Sequence, residues 1–106
     1  MRVTISHDKG KKEAMRIIDQ TADEFIKGMA TGPVKVTNQS KSWNGSTMDF
    51  GFTGKMGIFS SPIKGKIDVT ETEVIIDVEL PGMLKNFLPE EKVRAEVQNR
   101  VRGLLA

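Results

Sequence analysis

The stretch that decides the fold is Ile63–Leu80, IKGKIDVTETEVIIDVEL, because apolar and polar residues alternate in it on both sides of a polar break. A period of two predicts two strands, joined by a turn near Glu71–Thr72. Only Ile75 departs from the alternation. One apolar and one polar face are typical of an antiparallel sheet, not of a parallel sheet buried on both sides. The apolar face carries Ile63, Gly65, Ile67, Val69, Val74, Ile76, Val78 and Leu80.

The beginning of the chain predicts a short strand and a long helix. Arg2–Ser6 alternates as a strand. Lys9–Met29 has the apolar spacing of one helix face, with Asp8 as its expected N-cap and Thr31-Gly32-Pro33 as its end. The apolar positions of this helix are Ala14, Ile17, Ile18, Ala22, Phe25, Ile26 and Met29.

Two further strand signals lie between that helix and Ile63. Val34–Trp43 alternates poorly around a polar centre. Asn44-Gly45 after it is a strong hairpin signal, because both residues tolerate a positive φ. Thr47–Thr53 alternates well, whereas the Gly- and Ser-rich Gly54–Pro62 predicts a loop or an irregular strand edge.

The end of the chain predicts an apolar connection and a second helix. Pro81-Gly82 closes the last strand, and Met83–Leu88 follows as the connection. Pro89 suits the first turn of a helix, and Glu90 and Glu91 lie near its positive end. The apolar stripe of this helix is Val93, Val97, Val101 and Leu104.

These elements follow the order β-α-β-β-β-β-α within one domain, residues 1–106. A sheet with one apolar face and two helices with one stripe each bury their surfaces against one another. We therefore predict an α+β two-layer sandwich, an antiparallel sheet with both helices on one face. This arrangement resembles a short helix-grip, or TATA-binding-protein-like, topology, which carries no function by itself.

Composition excludes several classes of function. The 106 residues include no cysteine, which excludes disulfides, thiol catalysis and thiolate metal sites. A formal net charge of +2 argues against nucleic acid as a partner. No apolar run approaches the roughly 20 residues that span a bilayer, and residues 1–12 lack the apolar core of a signal peptide. We therefore expect a soluble, cytoplasmic protein without a membrane span.

Few residues are candidates for catalysis. His7 is the single histidine, and we interpret it as solvated or locally hydrogen-bonded. Asp77 and Glu79 share the polar face of one strand opposite lysines of its neighbour, which favours cross-strand ion pairs over an acid–base pair. We predict no catalytic residue, no metal, no cofactor and no enzymatic activity. A basic corner consists of Arg2, Lys9, Lys11, Lys12 and Arg16. We interpret it as a solvated face in preference to a contact with an anionic partner, polymer or membrane surface.

Two apolar features are our candidate sites. One is a group of large side chains in the connection before the last helix, which either caps the open end of the sandwich or contacts a partner. This candidate binding surface is Met83, Leu84, Phe87 and Leu88. The other lies on the apolar face, where the missing side chain of a glycine leaves either a small cavity or a tight contact with a helix. This candidate cavity is lined by Phe50, Phe52 and Gly65.

The assembled motifs resemble one family. They are Ile5-Ser6-His7 through Lys12-Glu13-Ala14, Trp43-Asn44-Gly45, Phe50-Gly51-Phe52, Ile63–Val69 and Val74–Pro81, before a terminal amphipathic helix. Over nearly its whole length the chain resembles the small polyhydroxyalkanoic acid system proteins, whose genes lie in polyester-granule regions. The resemblance implies a bacterial cytoplasmic protein linked to polyhydroxyalkanoate storage, with no catalytic residues to carry over.

The resemblance and the residues together lead to two hypotheses. The first is a non-enzymatic accessory or binding protein that contacts the polyester granule surface or a coat protein through Met83–Leu88. The alternative is a module of helix-grip type that binds a small apolar acyl ligand near Gly65. A homodimer formed through an uncovered edge strand such as Val34–Trp43 is also left open.

Overall fold

The computed structural model describes residues 1–29, 35–79 and 90–106, which form five strands and two helices. The elements are β1 (Arg2–Ser6), α1 (Lys11–Met29), β2 (Lys35–Asn44), β3 (Thr47–Met56), β4 (Phe59–Val69), β5 (Glu73–Glu79) and α2 (Glu90–Leu104). The strands form one sheet in the order β1-β5-β4-β3-β2, and every neighbouring pair is antiparallel. The predicted α+β class and the order β-α-β-β-β-β-α are confirmed.

The buried side chains of the strands all lie on one face of the sheet, and both helices pack on that face. Helix α1 contacts β2 and β4, α2 contacts β1, and the two helices contact each other. Each helix buries residues at intervals of four, as one stripe of an amphipathic helix does. The buried rows are Ala14, Ile18, Ala22 and Ile26 in α1, and Val93, Val97, Val101 and Leu105 along and just past α2. Leu105 therefore takes the place in the stripe that the sequence assigned to Leu104.

The stretch that decides the fold forms β4, a turn and β5 as predicted. Ile67 lies opposite Ile76 on the buried face. The turn is closed by Thr70, whose backbone N–H donates to the Glu73 carbonyl oxygen at 2.8 Å. The N–H of Glu73 donates in return to the Thr70 hydroxyl oxygen at 2.9 Å. Ile75, the exception to the alternation, lies half-buried on the opposite, outer face.

A β-bulge in β2 explains why that strand alternates poorly in sequence. Val36 and Trp43 both pack against the core, although an odd number of positions separates them. In a regular strand such residues lie on opposite faces. The register shifts between Thr37 and Ser40, and Asn38 within the bulge has a φ of 54°. The bulge thus returns Trp43 to the face on which Val36 lies.

The strand β2 forms one edge of the sheet. This edge is the surface through which a homodimer was predicted from the sequence. A bulge and exposed lysines at an edge both disfavour pairing with a further strand. Lys35 and Lys41 are exposed there. Homodimerisation remains a prediction.

Of the two options predicted for Gly54–Pro62, a loop or an irregular strand edge, the loop is wrong, because β3 and β4 continue through the segment as a hairpin. Met56 lies opposite Phe59, and the turn between them consists of Gly57 and Ile58. Gly57 has a φ of 61°, a conformation that favours glycine in a hairpin turn. Because this segment is rich in Gly and Ser, its sequence does not indicate that it forms two paired strands.

Pro62 fits within β4 because the strand is an edge at that point. β5 ends opposite Lys64, so the described sheet pairs Phe59–Ile63 on the β3 side only. Proline lacks a backbone N–H and is tolerated where a strand does not need that donor for a second neighbour.

Helix α1 begins at Lys11, and its predicted N-cap at Asp8 is wrong. The carbonyl oxygen of Gly10 accepts the first helical hydrogen bond, from the Ala14 N–H at 3.1 Å. The Lys11 N–H donates to the carboxylate of Glu71 at 3.3 Å. The β4–β5 turn therefore adds negative charge at the positive end of the helix, next to Glu13 of the first helical turn.

Some predictions fall on residues that the structure does not describe. They are the helix end at Thr31-Gly32-Pro33, the apolar position Leu80, the strand end at Pro81-Gly82, the binding surface Met83, Leu84, Phe87 and Leu88, and the helix start at Pro89. Neither of the two described helices is long and apolar enough to cross a membrane.

The bulge makes a testable prediction. Asn38→Val places a β-branched residue at a positive φ, so we expect the free energy of unfolding to fall by about 1–2 kcal/mol in urea titrations. The matched control Gln39→Val changes the neighbouring residue, whose φ is not positive. Equal stability of the two variants would show that the conformation at Asn38 is not required.

Candidate functional site

The centre of the sheet contains an aromatic residue packed over a glycine. Phe50 in β3 lies directly opposite Gly65 in β4. A Cβ atom added to Gly65 would lie 2.5 Å from Cζ of Phe50 and 2.9 Å from the carbonyl oxygen of Asp77. The sequence left open a small cavity or a tight contact with a helix at Gly65. The structure shows a tight contact with a neighbouring strand instead, in which the Phe50 ring occupies the space of the missing side chain.

A half-open cavity of about 480 Å³ adjoins this pair. It is lined by Asp49, Phe50, Lys64, Gly65, Lys66, Asp77 and Glu79. Two of the three residues predicted to line a cavity, Phe50 and Gly65, are thus brought together. The third, Phe52, is not among the lining residues described and lies buried in the core. The role of all three in ligand binding remains a prediction.

Charge distinguishes this cavity from the apolar one that the sequence suggested. Five of its seven lining residues are ionisable, and the strand register places all five on the outer face of the sheet. Charged groups favour ligands that carry charge of their own, because an apolar chain cannot satisfy them. The arrangement suits an amphipathic or ionic small molecule better than a bare hydrocarbon chain.

Charges of alternating sign cross the outer face along one row. Arg2 lies opposite Asp77, Asp77 opposite Lys66, and Lys66 opposite Asp49. The Nζ atom of Lys66 is 3.7 Å from Oδ1 of Asp49, with both side chains at least half exposed. The register also places Lys64 opposite Glu79. The register thus places Asp77 and Glu79 opposite lysines on a solvated face, as the sequence predicts, but within the described residues the ion pair of Lys66 is with Asp49 and not with Asp77.

His7 joins two turns through both of its ring nitrogens. Its Nδ1 accepts from the Lys9 N–H at 3.1 Å, so Nε2 carries the proton in the neutral ring and donates to the Thr70 carbonyl oxygen at 3.0 Å. The backbone N–H of His7 donates to the Thr72 carbonyl oxygen at 2.8 Å. The predicted local hydrogen bonding of His7 is therefore present, and it fastens the start of α1 to the β4–β5 turn.

A polar cluster that the sequence did not reveal joins α1 to β2. The indole N–H of Trp43 donates to Oδ1 of Asp19 at 2.8 Å. Nζ of Lys41 lies 3.1 Å from the same oxygen and donates to the Asp19 carbonyl at 2.7 Å. The indole hydrogen bond first, and the lysine second, hold the pKa of Asp19 below its ordinary value of 3.8. The pairing depends on the bulge, which no local sequence signal specified.

The hairpin tip, residues Met56–Phe59, is a second feature that the sequence analysis missed. Ile58 is 94% exposed and Phe59 is 51% exposed, and they are the large hydrophobic residues most open to solvent in the described part of the chain. The exposed Ile58 and Phe59 were not predicted, because the sequence of this segment indicates a loop. One sequence feature indicates an apolar hairpin tip: Ile58-Phe59 follows Gly57 directly, without a polar residue in the turn.

No group of three or more acidic or histidine side chains within the described ranges is arranged to hold a metal ion. The prediction that the chain has no catalytic residue is not tested by these contacts.

Comparison with protein families finds one match. A family model described as "Putative polyhydroxyalkanoic acid system protein" matches residues 1–105. The chain belongs to this family. The resemblance stated from the sequence motifs is confirmed. Neither the curated proteins nor the solved structures contain a match to this polyhydroxyalkanoic acid system protein, so its likeness to helix-grip topologies remains a prediction.

The Phe50–Gly65 contact makes a second prediction. Gly65→Ala forces a methyl group against the ring and against the backbone of β5, so we expect the free energy of unfolding to fall by about 1–3 kcal/mol. Urea titration followed by circular dichroism measures the change.

Gly51→Ala is the matched control in the adjacent strand. A Cβ there would meet its nearest neighbours at 3.5 Å, an ordinary contact. We expect its stability to stay within about 0.5 kcal/mol of the wild type. Equal effects of the two substitutions would contradict the close packing at Gly65.

The Asp19 cluster makes a third prediction, on pH. A carboxyl whose pKa is lowered by folding contributes stability above its ordinary pKa and loses that contribution as the pH falls through the folded value. We therefore expect Asp19→Asn to lower stability by about 0.5 kcal/mol at neutral pH, since the group is partly exposed. The difference from the wild type should shrink below the ordinary value of 3.8. A difference that stays constant from neutral to acid pH would contradict the shifted pKa.

Proposed function

We propose that this chain is a non-enzymatic accessory protein of the polyhydroxyalkanoate system, located in the bacterial cytoplasm, that works by binding. The observation that carries the proposal is the family match over residues 1–105. The family description links such chains to the polyhydroxyalkanoic acid system, and a binding role at the granule accords with that description.

The hydrogen bonds of His7 and the ion pair of Asp49 favour a binding role over catalysis. Both ring nitrogens of His7 are engaged by backbone groups, so neither is directed at a substrate. Asp49 is paired with Lys66 on the outer face. A general base needs a proton of the substrate within hydrogen-bonding reach, and these groups already have partners in the fold.

The contact surface we propose is the apolar set predicted from the sequence: Met83, Leu84, Phe87 and Leu88. Contiguous large apolar side chains on a surface are typical of interaction sites. Their partner is the granule surface or a protein that coats it.

Co-sedimentation with purified granules tests this proposal. We expect the wild type to be enriched in the granule fraction, and the variant L84D/F87D to lose most of that enrichment, because two carboxylates in an apolar contact are costly to desolvate. A95D/N99D adds the same two charges at exposed positions of α2 and should sediment as the wild type does.

Two outcomes would contradict the proposal. One is wild-type protein that sediments no better than an unrelated protein of similar size. The other is equal loss in L84D/F87D and A95D/N99D, which would assign the effect to net charge. Thermal unfolding of each variant separates loss of binding from loss of folding.

A small-ligand carrier is the second candidate, favoured by the cavity of about 480 Å³ beside Phe50 and Gly65. This volume lies within the range of small-molecule sites. An amphipathic acyl ligand would direct its carboxylate to Lys64 or Lys66. Calorimetric titration with decanoate tests the idea: binding that K64Q/K66Q abolishes supports a carrier, and absence of binding in the wild type rejects it.

A further inference from the structure

The hairpin tip is an apolar projection in a place where polar residues are usual. Turn positions of hairpins ordinarily take Gly, Asn, Asp or Ser. The β2–β3 hairpin follows this rule with Gly45 and Ser46, whereas the β3–β4 hairpin has Gly57 and Ile58. Gly57 sets the turn with its φ of 61°, and Ile58 is left 94% exposed.

Positive charge predominates in the strands behind this tip. The run from Ala30 to Ile67 contains five lysines and a single carboxylate, Asp49. Two of the lysines have ionic partners, Lys41 with Asp19 and Lys66 with Asp49. The remaining three are Lys35, Lys55 and Lys64.

Lys35 and Lys55 form the row directly behind the tip. They lie opposite each other on β2 and β3, and both are exposed. Like charges directly opposite on one face of a sheet repel each other. No ion pair within the described ranges neutralises either of them. An anionic partner would neutralise both lysines and remove this repulsion. Charge complementarity therefore favours an anionic partner.

The spacing of the apolar and basic groups fits a layered partner. At about 3.4 Å per strand residue, the backbone of the Lys55 row lies about 7 Å behind Ile58. Apolar groups of peripheral proteins enter the boundary between lipid headgroups and acyl chains by about 5–10 Å. With the tip among the acyl chains, the lysines lie at the depth of the phosphate groups.

We propose that the hairpin tip inserts into the surface of an anionic lipid layer, with Ile58 and Phe59 among the acyl chains and Lys35 and Lys55 at the phosphates. The combination matters because one small apolar anchor alone binds weakly, and basic residues near it supply the second attraction. This inference does not depend on the polyhydroxyalkanoate function, since its partner is lipid.

Sedimentation with protein-free vesicles tests it. Vesicles of equal parts phosphatidylcholine and phosphatidylglycerol are compared with vesicles of phosphatidylcholine alone. We expect the wild type to bind the anionic vesicles and I58S/F59S to bind them about tenfold or more less tightly, because the apolar area no longer enters the layer. K35Q/K55Q should lose a similar factor and also the preference for anionic vesicles.

K9Q/K12Q is the matched control, since it removes two exposed positive charges from the basic corner near the start of α1. Wild-type binding in this control supports the assignment to the tip. The inference is overturned if the wild type does not prefer anionic vesicles, if I58S/F59S binds as the wild type does, or if K9Q/K12Q loses as much as K35Q/K55Q. Granule binding without vesicle binding would likewise overturn it while leaving the accessory function intact. Circular dichroism verifies that each variant is folded.

Discussion

The two helices have one stripe of buried residues each, and both stripes pack on the same face of the sheet. Every strand must therefore present its apolar side chains to that one face. In β3 and β4 this requirement brings Phe50 over Gly65, where only a glycine leaves room for the ring. In β2 it requires the bulge at Asn38, since without it Trp43 would turn away from the core.

Because one face of the sheet is apolar, the polar groups lie on the outer face and in the turns. The outer face carries a row of alternating charges, in which Lys66 and Asp49 form an ion pair. The turns use polar groups to join distant elements, as His7 and Glu71 do at the start of α1. At the tip, the exposed Ile58 lies in front of two opposed lysines, Lys35 and Lys55, that no ion pair of the described residues neutralises, which is why we place a contact with a partner there.

Sequence patterns predicted those elements whose packing depends on local periodicity. The alternation of Ile63–Leu80 and the stripe of α1 were sufficient to predict the antiparallel hairpin, the long helix and the α+β class. The bulge at Asn38 was not predictable, because it depends on pairing with β3. The cap of α1 comes from Glu71, which is distant in the chain. At the candidate site, the alternation of the strands places Phe50 and Gly65 on the same apolar face, so their proximity was predictable. The charged lining of the cavity was not, because it depends on the register between strands.

Hydrogen–deuterium exchange of the protein bound to purified granules, compared with the free protein, tests most directly whether it acts through the apolar segment Met83–Leu88. Slower exchange on binding is predicted in Met83–Leu88. Exchange around Lys66 and Asp77 on the outer face is predicted to stay unchanged. Slowing confined to that outer face, with Met83–Leu88 unaffected, would contradict the proposed mode of binding.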